Sequence, residues 1–582
     1  MPQRSPLSES VSVVSLFWSR YRGLFILGVS FVGVEAFCDL LQPTLLARLI
    51  DEGVRQHRLD LVAHQGLFML LIAGIGAGAA LIRNRLASVV SQKFGADLRS
   101  GLYRRVQGFT HREYAGFEPS TLVTRLTNDV TQIQNFVNGI MRVFAKAPLL
   151  GVGALVMAAL LNLKLSLIFL VVVPLVALAG WWNASRGFPL FRLVQKGVDR
   201  VNSLVREVLR GIRVVKAFDQ FATERKRFAE ANNDLSRTST TAGRVVALFN
   251  PLVSLIVNLA VVFLLSWGNA LAARGQMEPG TIIAYVNYIT QILFALVMTG
   301  FVLMVFVRAK ASVERVTEIL KAPRSGLLVT GTFQAKSLGK LEARELSFRF
   351  PEAETWTLRG LSFTVDEGMT VGVLGAMGSG KSTLARLLPR FFDPDEGVLQ
   401  AGGRPLPDWD LGLWRQQLAW VPEKAVLFGG TIRENLLWGR ADAKDQELAQ
   451  ACEIAQALSF IESFPSGWDT PVGQRGMTLS GGQKQRLTLA RALVRRPSLL
   501  ILDDSFSALD AWTEAQILKA MKSLSGQMTI FQVSQKASAV RQADLILVLE
   551  QGHLAGAGTH DQLVKACPVY REILSSQGVT YV

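Results

Sequence analysis

The 582-residue chain reads as an α-helical membrane domain of six spans followed by an α/β domain of the P-loop type. Three observations carry that reading. Long apolar stretches fill the first half and stop near residue 320. The second half alternates strand-like with helix-like runs. Between one such strand and one such helix lies Gly375-Ala376-Met377-Gly378-Ser379-Gly380-Lys381-Ser382, which fits G-x-x-x-x-G-K-[ST].

The spans come first. A helix needs about 20 mostly apolar residues to cross a bilayer, and stretches at 22–48, 62–88, 136–161, 163–185, 245–272 and 281–308 satisfy this. The connections at Asp51–His64, Asn162–Lys164 and Arg274–Pro279 are short; those at 89–135 and 186–244 are long and rich in Lys and Arg. By the positive-inside rule the long ones face the cytoplasm, which predicts a multi-pass protein of a bacterial plasma membrane, in contact with lipid, with its second domain inside. The same rule accounts for the formal charge of +16, since Arg83, Arg85, Arg99, Arg104 and Arg105 stand beside spans. Base-stacking aromatics are not clustered with this charge, so nucleic acid is not expected as a partner. Cys38, Cys452 and Cys567 have neither metal-ligand nor redox spacing.

Residues 1–22 lack the pattern of a signal peptide. Val11, Val14, Phe17 and Trp18 predict either a short amphipathic helix on the membrane surface or an ordinary packed helix. In the second long connection Val201, Leu204, Val205, Val208, Leu209 and Ile212 recur with helical period, and Arg206, Arg210 and Arg213 form a solvated face. The expected division is a transmembrane domain at 1–320, a linker at 321–340, where Pro, Gly, Ser and Thr replace periodicity, and the α/β domain at 341–582.

The chemistry lies in that domain. Gly375, Gly378 and Gly380 let backbone N–H groups close around phosphates, Lys381 reaches the β and γ phosphates, and Ser382, followed by Thr383, offers an oxygen to Mg²⁺. Downstream, the apolar run Leu499–Leu502 ends in Asp503, the arrangement that holds Mg²⁺ in P-loop enzymes. ATP and Mg²⁺ are therefore the expected ligands. Between the two elements stands Leu479-Ser480-Gly481-Gly482-Gln483, or LSGGQ, opening a helical run.

With LSGGQ the sequence resembles the ATP-binding cassette (ABC) transporters over essentially its whole length, as an exporter-type half-transporter. The resemblance implies that two chains pair, each ATP being held by the phosphate loop of one chain and the LSGGQ of the other. Ser480, Gly481, Gly482 and Gln483 then serve ATP on a partner chain. It further places Phe350 at the position of an adenine-stacking aromatic, Ser507–Asp510 in the loop that communicates across the dimer, and Tyr114–Phe117 and Ala217–Gln220 at the coupling segments.

Three positions depart from the family's hydrolytic pattern. Asp504 stands where Glu polarises the attacking water, and its shorter side chain withdraws the carboxylate by roughly 1.5 Å, a displacement that can cost on the order of 10²-fold. Gln535 stands at the switch histidine and cannot carry a positive charge. Glu423 stands where Gln is usual; it still offers Mg²⁺ an oxygen but adds negative charge. Gln474, before LSGGQ, replaces a frequent Glu. The phosphate loop with Asp504 and Gln535 predicts a site that binds ATP and hydrolyses it poorly. Together with an intact LSGGQ this predicts a heterodimer whose partner supplies the active phosphate loop.

In the membrane half, Glu35 and Asp39 share one helix face. They either line a pathway for cationic compounds or pair with Arg142 or Lys146. Asn250, Ser254 and Asn258 form a polar stripe on the fifth span, and Asn287, Gln291, Phe294, Met298 and Phe301 share a face of the sixth. Such surfaces either line a poorly selective cavity or bond helix to helix. The expected function is ATP-driven export of hydrophobic or amphipathic small molecules, drug- or lipid-like. An ATP-gated channel, a regulatory subunit, or an importer on the exporter fold would carry the same motifs.

Overall fold

A computed structural model describes residues 13–274, 277–322, 331–335, 337–350 and 353–578. Contacts divide the chain into two compact units, Met1–Gln107 with Glu118–Ala322, and Gly108–Phe117 with Pro323–Val582.

The first unit is helical. Six segments among the described residues are long and apolar enough to cross a membrane: Ser15–Val54, Leu59–Gln107, Pro119–Leu161, Leu163–Arg210, Phe221–Ala273 and Pro279–Thr299. They correspond in order to the six predicted spans. The helix Leu59–Gln107 alone has 49 residues, so at 1.5 Å per residue it is roughly 75 Å long, more than twice the ~30 Å of a bilayer's hydrocarbon core. The predicted long connections are thus continuations of the spans rather than loops.

Polar side chains tie these helices together. Tyr285 and Tyr288, both fully buried, donate to the carbonyls of Ala158 at 2.7 Å and Leu40 at 2.8 Å, joining the sixth span to the third and first. Asp51, which the sequence assigns to a loop, lies in the helical continuation Leu49–Val54 of the first span; it accepts from Gly280 N at 2.6 Å and caps the start of the sixth span. A buried tyrosine hydroxyl needs a partner, and helix carbonyls supply it.

Of the two expectations for the N-terminal segment, the structure shows the packed helix. The helix Val13–Arg48 is unbroken, so no separate surface helix precedes the first span among the described residues. Phe17 packs edge-on to Phe94 at 4.9 Å and faces Tyr21 at 5.9 Å. These aromatic contacts draw the segment into the bundle. Val11 and the side chain of Val14 lie outside the described residues.

The second unit is α/β. Its strands are β1 (Leu341–Phe348), β2 (Leu358–Val365), β3 (Thr370–Gly375), β4 (Glu396–Ala401), β5 (Arg404–Pro405), β6 (Leu418–Val421), β7 (Gly430–Thr431), β8 (Pro471–Val472), β9 (Leu499–Asp503), β10 (Thr529–Ser534), β11 (Leu545–Glu550) and β12 (His553–Gly558). Six of them form the sheet β12-β11-β3-β10-β9-β6, and β2-β1-β4-β5 form a smaller antiparallel one. All pairings in the larger sheet are parallel except β11 with β12. The central strands β3, β9 and β10 are almost wholly buried, as near-continuous apolar runs in a covered parallel sheet should be.

Phe333, within the predicted linker, is held by this unit: it bridges to Trp409 and stacks edge-on to it at 4.9 Å. Residues 323–330 and 336 of that linker lie outside the described residues.

Candidate functional site

The register of the parallel sheet assembles the site. Ser534 pairs with Leu374 and Val533 with Asp503, so the chain leaves β3, β9 and β10 at one level. There it delivers the loop at Gly375, the pair Asp503-Asp504 and Gln535 side by side. The carboxyl ends of parallel strands are where open α/β sheets bind ligands.

The loop after β3 is shaped by glycine. Gly378 and Gly380 have φ of +83° and +98°, a region that side-chain-bearing residues avoid, and a Cβ on Gly380 would sit 2.9 Å from the Thr357 carbonyl oxygen. The loop runs into the helix Lys381–Leu387. Ser379, Lys381 and Thr383 are buried. The Lys381 ammonium lies within the loop and donates to the carbonyls of Gly375 at 2.8 Å and Ala376 at 2.7 Å. Burial pushes its pKa down, with Asp504 and Asp503 opposing the shift.

Ser382 Oγ donates to Asp503 Oδ1 at 2.7 Å. A hydroxyl and a carboxylate in contact, with Glu423 close enough for its charge to be felt at Asp503, make an all-oxygen donor set that suits Mg²⁺. Among the described residues no three His, Cys, Asp or Glu side chains form a cage. Mg²⁺ has no need of one, because it takes one or two carboxylates together with phosphate oxygens and water.

Asp504 adopts φ +45° and its N–H donates to Val533 O at 3.0 Å, continuing the ladder one residue beyond β9. Burial pushes its carboxyl pKa up, and the charges of Glu423 and Asp503 add to that. Gln535 Nε2 donates to Asp504 Oδ2 across a long 3.4 Å, so the two substituted positions face one another.

Ser480 is the N-cap of the helix Gly481–Val494, in a reciprocal capping box with Gln483: Ser480 Oγ accepts from Gln483 N at 3.3 Å and Gln483 Oε1 accepts from Ser480 N at 2.9 Å. Because the Ser480 oxygen acts as an acceptor here, its proton stays available to donate. With the first-turn N–H groups and the helix dipole this forms an anion-directed surface. Phe350 stacks edge-on to Phe348 at 5.1 Å and to Phe392 at 5.5 Å and is partly buried.

Comparison with known proteins agrees with this geometry. Residues 25–296 match the ABC transporter transmembrane region, and residues 358–507 match the ABC transporter domain. An uncharacterised ABC transporter ATP-binding protein of Bacillus subtilis is 38% identical over 543 residues, 93% of this chain and 94% of that protein. The chain belongs to the ABC transporters. A multidrug efflux ATP-binding/permease protein of Mycobacterium tuberculosis is 31% identical over 96% of this chain and 46% of its own length. A bacterial Atm1-family ABC exporter solved with ATP bound superposes with a TM-score of 0.77 at 25% identity, covering 97% of this chain and all of that one. This ABC protein is thus a multi-pass membrane half-transporter of exporter type carrying an ATP-binding domain.

Sequence reasoning missed Gln485. Buried in the LSGGQ helix, it donates through Nε2 to Glu423 O and Ser507 Oγ, both at 3.3 Å, and accepts from Ala508 N at 3.1 Å. One amide thereby ties together three elements of the ABC domain: the LSGGQ helix, the loop after β6 and the Ser507–Asp510 loop. Its sequence signal is a polar residue on the helix face that also carries Thr488, Leu489 and Ala492.

The first predicted coupling segment clusters with the α/β unit. It follows a capping box of Thr110 with Glu113, and His111 stacks on Phe391 at 4.3 Å. The second, Ala217–Gln220, presents Phe218 to solvent, 70% exposed, and Val214 in the helical turn before it is 60% exposed.

Of the two alternatives for Glu35, pathway lining or pairing with Arg142 or Lys146, the structure shows the pairing with Lys146. Glu35 is buried and paired twice, through Oε1 with Lys146 at 2.6 Å and through Oε2 with Arg83 at 3.1 Å, and so is not an open carboxylate. Asp39 shares Lys146 at 2.8 Å and keeps its side chain 43% exposed. Arg142 contributes only its backbone carbonyl, to Arg83. Gln291 Nε2 donates to Asp39 O at 3.3 Å, and Asn287 bonds within its own helix to Ile283 O at 3.0 Å. Phe294 is exposed, Met298 is half-buried, and Asn250, Ser254 and Asn258 are exposed; the side chain of Phe301 lies outside the described residues.

Two carboxylates against two cations make the cluster neutral, and removing one member leaves a buried charge uncompensated. Lys146→Met is expected to destabilise the protein by about 3 kcal/mol, read as a lowered thermal midpoint in detergent. Adding Asp39→Asn should recover part of the loss.

Proposed function

We propose that this chain is one half of a heterodimeric exporter that moves hydrophobic or amphipathic compounds out of a bacterial cell. Residues 1–320 would form the transport domain and 341–582 the cytoplasmic ATP-binding cassette. In this reading the chain's own phosphate loop holds ATP, with Mg²⁺ on Ser382, Asp503 and Glu423 and adenine on Phe350. Faster hydrolysis takes place on a partner's phosphate loop, completed by Ser480–Gln483 of this chain.

The observation that carries the reading is the facing pair Asp504 and Gln535 beside a complete phosphate cradle. Asp504 falls short of the attacking water, and Gln535 brings no positive charge to the γ-phosphate. The capped LSGGQ helix retains every group it needs. Exposed Phe218 in the second coupling segment and Val214 in the turn before it support a partner, because apolar side chains at such an elbow are suited to a covering surface. The multidrug efflux relative supports the cargo class.

The test is transport in proteoliposomes. The pair of chains is expected to extrude an amphipathic dye on addition of Mg-ATP, and Lys381→Ala in this chain to weaken ATP binding at its own site. Equal dye transport by the lone chain would contradict the heterodimer.

A further inference from the structure

The loop that carries Gln535 is gripped by a residue far from every ATP motif. Gln577 Oε1 accepts from Ala537 N at 2.8 Å, and Gln577 Nε2 donates to Gln535 O at 2.7 Å. One planar amide thus pairs with the backbone on both sides of Lys536, as a strand edge would.

The grip has a rigid base. Gln577 immediately follows the helix Pro568–Ser576, and its own N–H donates back to Ile573 O at 3.3 Å and Leu574 O at 3.1 Å. Tyr570 and Leu574 of that helix are buried with Ala537, Val540 and Leu374, the residue that precedes the phosphate loop. Further ties on the loop are Lys536 to Glu514 at 2.9 Å, Ser534 Oγ accepting from Lys536 N at 3.0 Å, Lys536 O accepting from Ala539 N at 3.3 Å, and the long bond from Gln535 to Asp504. Gln577 grips from outside the loop the same peptide plane that Ser534 Oγ holds through Lys536 N, the plane from which the Gln535 side chain departs.

We propose that Gln577 is a positioning residue of the ATP site, setting where the Gln535 side chain stands relative to Asp504 and the bound γ-phosphate. This rests on the reading of Gln535 as the residue at the switch position. It makes the helix Pro568–Ser576 part of the nucleotide-sensing apparatus, so that whatever displaces the helix releases the switch loop.

The experiment is a double-mutant cycle on the full-length protein in nanodiscs, following release of a fluorescent ATP analogue after a chase with unlabelled ATP. Gln577→Ala is expected to speed release on the order of three- to tenfold, the worth of one or two hydrogen bonds. In the Gln535→Ala background the same substitution should change nothing further. Gln577→Glu keeps the acceptor for Ala537 N but turns a carboxylate toward Gln535 O, and should act at least as strongly as Gln577→Ala.

Equal acceleration in both backgrounds, or a lowered thermal midpoint with unchanged release, would overturn the proposal. The cycle reads the grip whichever chain hydrolyses ATP. The heterodimer reading is judged separately, by turnover of the lone chain with and without Asp504.

Discussion

Asp504→Glu raises ATP turnover at this chain's own phosphate loop by on the order of 10²-fold. The added methylene returns the carboxylate to the attacking water, while the backbone that presents it is already fixed by the bond from Asp504 N to Val533 O. Burial pushes the acid's pKa up, so on the proposed reading the added methylene acts through distance rather than basicity. The gain lies at the low end of the roughly 10² to 10⁴ attributable to a general base, because Gln535 still leaves the γ-phosphate without a cation. The left-handed backbone at φ +45° also suits Asp better than Glu. Steady-state phosphate release by the purified chain in nanodiscs measures the effect; an unchanged rate would place the defect elsewhere.

Gly481→Asp acts in the opposite direction and on the other site. A carboxylate at the first position of the LSGGQ helix stands where an incoming phosphate requires N–H donors and positive potential. Hydrolysis by the two-chain complex should fall by roughly 10² to 10³, the cost of losing a principal anion-stabilising group. The fold should tolerate the change. A Cβ at Gly481 meets Ala508 Cβ at an ordinary 3.6 Å, and an acidic residue in the first turn favours the helix. ATP bound to this chain's own loop should be retained, which separates the effect from unfolding; simultaneous loss of ATP from both sites would contradict the assignment.

The legible parts of this protein were those written in contiguous sequence. Six spans follow from hydropathy, and the phosphate loop, Asp503 and LSGGQ are local patterns whose chemistry depends on their own backbone. Their convergence followed from alternating strands and helices, and the register of β3, β9 and β10 gives it a physical form. The pairing of Glu35 was only half legible. Lys146 was foreseen, but Arg83 was read as a charge beside a span, because which helix faces meet is decided by packing along their whole length.

Gln485 and Gln577 were illegible for a related reason. Each is a single amide that matters through backbone groups it meets across the fold, and a backbone group has no sequence identity. The segment through Phe17 and Trp18 leaves two readings open in sequence, because a short window with helical period does not distinguish a surface helix from the first turns of a longer packed one.

The central claim is that this chain's own phosphate loop keeps ATP rather than consuming it. The most direct measurement loads the purified chain with radiolabelled ATP and Mg²⁺, removes free nucleotide and follows the identity of what stays bound. The account predicts bound nucleotide that remains ATP, with conversion far below the ~10 s⁻¹ typical of enzymes. Rapid appearance of ADP, unaffected by Asp504→Ala, would contradict it.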